Sequence, residues 1–154
     1  MSKSKGFTLI ELIVVIVILG IMAAIAGPKF VDLQTDARIS VMNGLEGAVR
    51  GAATLVYSKS LIEGEEGTAS DGTAASQVTV QGVAVDTDFG YPAGTATGIE
   101  AALDFSPEIS VAHAAGVSTF TYVGQAACVI TYTESAAANA APVINTAAVT
   151  AANC

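Results

Sequence analysis

A continuous apolar segment, residues 7–27, constrains the fold of this chain more than any other feature of its sequence. Its 21 residues, wound into an α-helix with a rise of about 1.5 Å per residue, would span roughly 30 Å, the thickness of the hydrocarbon core of a bilayer. A conventional secretory signal has a shorter apolar stretch of about 7 to 15 residues before its cleavage site. The length therefore predicts a membrane-spanning helix.

The segment that precedes this helix, Met1–Gly6, is short and carries two positive charges, Lys3 and Lys5. Positive charges beside a membrane-spanning helix favour the cytoplasmic side. We therefore expect the leader to lie in the cytoplasm and the rest of the chain to face outward.

One carboxylate, that of Glu11, lies inside the apolar segment. A charged side chain at the centre of a bilayer costs about 2.5 to 3.5 kcal/mol on insertion scales, and less near the end of a helix. Intramembrane carboxylates generally serve a function and require a partner. Glu11 therefore predicts an interaction with a positive charge.

Gly27 and Pro28 stand at the end of the apolar segment. Proline inside a helix removes a backbone donor and clashes with the preceding turn, at a cost of about 3 kcal/mol. Two interpretations are open on the sequence alone: the helix ends here, or it continues through a kink.

The charge distribution argues against several classes of function. The formal net charge is −8, and all six basic residues lie within the first 59 positions. Nucleic-acid binding depends on clustered Lys and Arg, so we expect no direct contact with nucleic acid. His113 has no nearby partner in the sequence, and Asp86 and Asp88 suit a solvated loop better than a calcium site. We therefore expect no cofactor, no metal and no enzymatic activity.

Beyond Pro28 the pattern becomes amphipathic and predicts a helix over residues 29–61, followed by an exposed loop over 62–76. The expected core-facing stripe of this helix consists of Leu33, Ala37, Val41, Leu45, Ala48, Ala52 and Val56. Residues 77–154 alternate in the manner of strands. The predicted elements there are a hairpin about Gln81-Gly82, a short helix over 97–103 capped by Thr97, and strands over 118–124, 128–133 and 143–149.

Cys128 and Cys154 are the two cysteines of the chain. An outward-facing domain lies in an oxidising compartment, where an even pair of cysteines is most simply a disulfide. Free buried thiols and intermolecular bridges are the open alternatives.

The hexapeptide Gly6-Phe7-Thr8-Leu9-Ile10-Glu11 resembles the processing motif of type IV prepilins and the related pseudopilins. The resemblance implies that a prepilin peptidase/N-methyltransferase cleaves after Gly6 and methylates Phe7, and that the apolar helix is retained. It also implies that Glu11 pairs with the Phe7 amine of a neighbouring subunit during filament assembly, and that Gly27-Pro28 forms a flexible joint. Cys128 and Cys154 would bound a disulfide-linked C-terminal region.

The expected fold is the α+β pilin fold, in which a long N-terminal helix packs on a small antiparallel sheet of three to five strands. Its parts would be a cleaved leader over 1–6, a transmembrane and filament-core helix over 7–28, and a globular domain over 29–154. The implied partners are further copies of the chain in a helical filament, the assembly platform with its ATPase, and the inner membrane of a Gram-negative bacterium. The pool of subunits would lie in that membrane, and the assembled pilus would be extracellular.

A narrower resemblance is to the mannose-sensitive haemagglutinin pilins. It rests on the hairpin, Phe89-Gly-Tyr-Pro92, the strand after Cys128 with terminal Cys154, Lys29-Phe30 and Asp36-Ala37-Arg38. The implied function is that of a major pilin in adhesion and attachment, with motility as a further role. The alternatives are a major pseudopilin of a type II secretion system, against which the cysteine pair argues, and a membrane-anchored enzyme or conductive protein, for which no catalytic set or aromatic stripe is present.

The first prediction concerns the mature N-terminus. Cleavage after Gly6 should yield a chain that begins at methylated Phe7, with its formal side-chain charge changed from −8 to −10 by the loss of Lys3 and Lys5. Intact-mass spectrometry of filament subunits measures both changes. A subunit that retains Met1, or one cleaved beyond Ala26, would contradict the prediction.

Overall fold

A computed structural model shows an α+β fold in which helix α1, Leu9–Glu63, precedes antiparallel strands. It describes residues 6–71 and 76–154, without the side chains of residues 30–32. Most of the predicted leader, residues 1–5, and part of the predicted loop, residues 72–75, lie outside the described residues. The chain divides into two units, Met1–Ala37 and Arg38–Cys154.

The strands form two antiparallel sheets within the described part of the second unit, where the sequence analysis expected one. The first sheet has the order β1-β2-β3 and the second the order β4-β5-β6-β7, so each is a meander. The strands are β1 (Gln77–Val80), β2 (Val83–Asp88), β3 (Tyr91–Pro92), β4 (Ile109–Ala114), β5 (Val117–Tyr122), β6 (Val129–Thr133) and β7 (Val143–Asn145).

Three of the hairpins share one turn chemistry. Gln81-Gly82, Phe89-Gly90 and Ala115-Gly116 each place two residues with positive φ between paired strands. Positive φ at both central residues defines a type I′ turn, whose twist matches that of the flanking strands, and glycine adopts it without strain. The predicted hairpin about Gln81-Gly82 is confirmed, whereas the sequence analysis did not predict strands β3 and β4.

Pro28 lies inside α1, so the helix does not end there. The interpretation in which Gly27-Pro28 terminates the helix is therefore wrong. Proline has no backbone N–H, so the carbonyl one turn before it loses its usual helical donor. Whether these two residues act as a joint in a filament stays a prediction.

The core-facing stripe of α1 agrees with the predicted one at Leu45, Ala52 and Val56, which are buried, and differs from it elsewhere. Leu33, Ala37, Val41 and Ala48 are exposed, whereas Met42 and Val49 are fully buried. The predicted stripe advances in steps of four residues between positions 33 and 45, and each such step rotates the stripe by about 40° around a helix of 3.6 residues per turn. Met42 and Val49, rather than their neighbours Val41 and Ala48, lie on the helix face that packs against the second sheet.

The main core joins α1 to the second sheet. Met42, Leu45 and Val49 pack in one cluster with strand residues, which are Ile109, Phe120, Ile130 and Tyr132. A smaller cluster joins Val56 of the helix to Val78 and Val85 of the first sheet. Both sheets therefore bury their apolar faces against the same helix.

The short helix predicted over 97–103 is a helical turn over Ala96–Glu100, interrupted by the non-helical backbone of Gly98. Its N-cap is Thr95, whose hydroxyl accepts a hydrogen bond from the Gly98 N–H at 3.0 Å. The expectation that Thr97 is the cap is wrong, because the Thr97 hydroxyl donates to the carboxylate of Asp86.

Tyr132 connects the two sheets within the core. Its buried hydroxyl donates a 2.6 Å hydrogen bond to the main-chain oxygen of Pro92 in β3. Burial raises the pKa of Tyr132 above its usual value, and the nearby Glu134 adds to that shift. The hydroxyl thus keeps its proton and remains a donor.

Replacing Tyr132 by Phe should lower the free energy of unfolding by about 1 to 3 kcal/mol, because the buried Pro92 oxygen loses its donor. Tyr122→Phe is the matched control, since its exposed hydroxyl lies 3.4 Å from a Glu108 oxygen. Urea unfolding of the detergent-solubilised full chain measures both variants. Equal effects of the two substitutions would contradict the prediction.

Candidate functional site

The residues of the predicted processing site lie at the start of α1. Thr8 is the N-cap, and its main-chain oxygen accepts the first helical hydrogen bond from the Leu12 N–H. Glu11 folds back on Thr8: one carboxylate oxygen accepts both the Thr8 N–H and the Thr8 hydroxyl at 2.7 Å. The Glu11 N–H in turn donates to the Thr8 hydroxyl oxygen at 3.4 Å.

This reciprocal arrangement is a capping box, which satisfies helix donors that have no partner inside the helix. The sequence analysis did not predict it, although the spacing Thr-x-x-Glu was the signal that could have revealed it. Thr8 therefore contacts one of the predicted site residues, Glu11. Its donors hold the Glu11 carboxylate within a single chain.

The apolar half of α1 has no cover within the first unit. Among its described side chains, Leu9 is 79% exposed, Ile16 58% and Ile25 67%. This stretch is long and apolar enough to cross a membrane. An apolar surface of this extent needs a bilayer or other chains to remove it from water.

The second group of predicted residues lies at the end of the second unit. The structure contains a disulfide between Cys128 and Cys154, both of which are buried. Arg38 holds the same region from α1, because its Nη1 donates a 2.7 Å hydrogen bond to the main-chain oxygen of Cys154. The Arg38 guanidinium also lies 5.9 Å from the centroid of the Tyr122 ring, within the range of a cation–π contact.

His113 has partners that the sequence analysis did not predict. Its Nε2 lies 2.5 Å from a Glu100 carboxylate oxygen, and its Nδ1 lies 2.8 Å from the Ser118 hydroxyl. Ser118 is fully buried, so its hydroxyl is closed to an external substrate. The three side chains therefore connect strands β4 and β5 to the turn Ala96–Glu100.

Asp86 and Asp88, both in strand β2, accept hydrogen bonds from different parts of the chain. Asp86 accepts a 2.6 Å hydrogen bond from the Gln77 side chain, and Asp88 accepts one of 2.8 Å from the Ser70 N–H. Among the described residues, no group of three or more His, Cys, Asp and Glu side chains is placed to share a metal ion.

The N-terminal region of the chain matches a known protein-family model. Residues 1–27 match the family model described as the prokaryotic N-terminal methylation motif. This match covers Gly6, Phe7, Glu11 and the apolar segment.

The relatives are pilus and fimbrial proteins. The type IV narrow pilus major component PilA5 of Thermus thermophilus is 54% identical over 50 residues, which cover 32% of this chain and 43% of that protein. A fimbrial protein of Pseudomonas aeruginosa is 35% identical over 96 residues, which cover 52% of this chain and 61% of that protein. The type IV major alpha-pilin of Moraxella bovis is 40% identical over 72 residues, which cover 46% of this chain and 45% of that protein.

The matched region thus spans less than two thirds of each of these relatives. No solved structure matches the chain significantly. The motif and the relatives support the type IV pilin family, and the α+β arrangement of a long N-terminal helix and antiparallel sheets agrees with it.

The disulfide generates a stability prediction. Replacing Cys154 by Ser opens a loop with a sequence separation of 26 residues, which should lower the free energy of unfolding by about 3 to 4 kcal/mol in the chain-entropy model. Ala152→Ser, at an exposed position two residues away, is the control. Urea unfolding of the solubilised full chain compares them, and an unchanged midpoint for the Cys154 variant would refute the prediction.

Proposed function

We propose that this chain is the major structural subunit of a type IV pilus and has no enzymatic role. The observation that carries the proposal is the uncovered apolar half of α1, joined in sequence to an N-terminal methylation motif. A helix of this kind has two stable environments, a bilayer and the centre of a helical polymer. The relatives named as pilus and fimbrial components support the second environment for the mature protein.

Processing precedes assembly in this proposal. A prepilin peptidase/N-methyltransferase cleaves between Gly6 and Phe7 and methylates the new Phe7 amine. Because Phe7 precedes the N-cap Thr8, cleavage leaves the capping box intact. The processed subunit then waits in the inner membrane of a Gram-negative cell, with its second unit outside the cytoplasm, until the assembly platform and its ATPase add it to the filament.

Glu11 acts when the subunit enters the filament. In the separate chain, its carboxylate accepts two donors from Thr8, which reduces the cost of placing it in an apolar segment. In the filament, the positively charged Phe7 amine of a neighbouring copy is a stronger partner, because opposite charges attract strongly where water is excluded. The Glu11 carboxylate would thus exchange Thr8 for the amine as its partner. The position of that amine would set how far each subunit advances along the filament axis.

Within the family, we assign the chain to the group of mannose-sensitive haemagglutinin pilins, with adhesion and attachment as the role of the filament and motility as a further role. The hairpin β1-β2 and the Cys128–Cys154 disulfide support this assignment. The alternative of a type II secretion pseudopilin is not favoured, since the relatives above are pilus and fimbrial proteins.

Substituting Glu11 tests the proposed function. Glu11→Ala should leave a cleaved, membrane-held subunit and few or no filaments, because the Phe7 amine of the neighbour would be buried without a counter-charge. Glu11→Asp should retain partial assembly if the shorter side chain still reaches the amine. N-terminal sequencing of the membrane pool and a count of sheared surface filaments, made in the same strain, measure the two steps separately.

Thr8→Ala is the matched control for this experiment. It removes the capping hydroxyl, which contributes about 0.5 to 2 kcal/mol to a helix, but it leaves the Glu11 carboxylate in place. The Thr8 variant should therefore still form filaments. Normal piliation by Glu11→Ala would show that apolar packing alone suffices for assembly.

A further inference from the structure

Two separate surfaces flank the exposed face of α1 in the second unit. Arg50 and Leu55 are five residues apart, which places them about 140° apart around a helix of 3.6 residues per turn. Each adjoins a cavity formed between the helix and the parts that follow it in sequence. We call these the Arg50 surface and the Asp104 surface.

The Arg50 surface is a cavity of about 270 Å³ between α1 and the end of the second sheet. It is lined by Arg50, Ala53, Thr54, Tyr91, Pro142 and Ile144. One wall is supported by Tyr91, whose ring stacks on that of Tyr57 with centroids 4.2 Å apart. The cavity therefore combines apolar walls with one guanidinium group at its edge.

The Arg50 guanidinium retains free donors. Its side chain is 58% exposed, and its Nε contacts Glu46 at 2.8 Å. The described residues supply no partner for its two terminal nitrogens, which together match the two oxygens of a carboxylate. Because the Arg50 side of this ion pair is open to solvent, the pair holds the guanidinium only weakly. The site can thus accept a second carboxylate.

The Asp104 surface lies on the other flank and has the opposite character. Asp104 is exposed and has no hydrogen bond or ion pair with any described residue. It stands at the edge of a cavity of about 250 Å³, together with Leu55, Val80, Val83 and Leu103. Leu55 is 51% exposed and Val83 47%, so a free carboxylate projects here beside uncovered apolar side chains.

We propose that the Arg50 surface of one copy of this chain binds the Asp104 surface of the next copy. The Asp104 carboxylate would contact the terminal nitrogens of Arg50, while the apolar side chains around Asp104 cover Pro142 and Ile144. Charge complementarity identifies the occupant: the chain has no Lys or Arg beyond Lys59, so its sheets and loops present carboxylates to the few cations of α1. The contact pairs one such carboxylate with one such cation.

The two surfaces are different and lie on different flanks, so the contact is head-to-tail. A head-to-tail contact whose rotation does not close a ring generates an open helical polymer. The proposal rests on the proposed filament, and it adds the contact between the outer units to the packing of the apolar helices. It would select which neighbours can meet, because like charges placed opposite each other are strongly disfavoured.

Charge reversal in the full chain tests this contact. Arg50→Glu and Asp104→Arg should each reduce sheared surface filaments by about tenfold or more, because each creates a like-charge pair. The double variant Arg50→Glu/Asp104→Arg restores an opposite-charge pair and should recover filaments. Glu108→Arg, the same change of charge at another exposed carboxylate, is the control and should leave assembly unchanged.

Folding is monitored in the same strains by the amount of subunit in the membrane pool and by the state of the Cys128–Cys154 disulfide. With folded subunits, normal filament numbers in either single variant, or failure of the double variant to recover them, would overturn the proposed contact. If the unmodified chain itself forms no filaments, it is the proposed function that fails.

Cysteine crosslinking supplies a second measurement. Sheared filaments of the variant Arg50→Cys/Asp104→Cys, treated with a short bis-maleimide that spans the gap left by the two removed side chains, should give a ladder of covalent oligomers on a denaturing gel, because each copy is linked to the next. Each single cysteine variant should give dimers at most. Assembled filaments of the double cysteine variant without a ladder would also overturn the contact.

Discussion

The apolar surface of the N-terminal half of α1 is the constraint on which the rest of the account depends. Ile16 and Ile25 and the other large apolar side chains around the helix stay exposed in the first unit. Burying apolar area is the main favourable term in protein association, so this surface favours whatever environment removes it from water. In the proposed function, a bilayer would cover it before assembly and a bundle of identical helices afterwards, and the Glu11 carboxylate would have a different partner in each.

The second unit has its own hydrophobic core, to which the later part of α1 contributes. Met42 and Val49 of α1 pack with Phe120 and Tyr132, while the Cys128–Cys154 disulfide and the Arg38 contact fasten the end of the chain. The residues of this core all lie beyond the apolar half of α1. Such a division would suit the proposed pilus subunit, which would pass from a membrane into a polymer while its second unit stays folded.

The sequence predicted those features that depend on local chemistry. The length of the apolar segment predicted the N-terminal helix, and the Gln81-Gly82 turn predicted the β1-β2 hairpin. Strand β4 was missed because the Ala115-Gly116 turn is a weaker signal. The stripe of α1 was misplaced because steps of four residues rotate it away from the face that is buried. The partners of His113 depend on contacts between distant elements, which a single sequence does not specify.

Electron microscopy of filaments sheared from the cell surface, with mass spectrometry of their subunit, tests the central claim most directly. We expect long extracellular filaments built from this chain, with the apolar helices at the centre and the Arg38–Cys154 units outside. Cells that carry the processed subunit and the assembly machinery but produce no such filaments, or filaments in which the apolar helices face solvent, would contradict it.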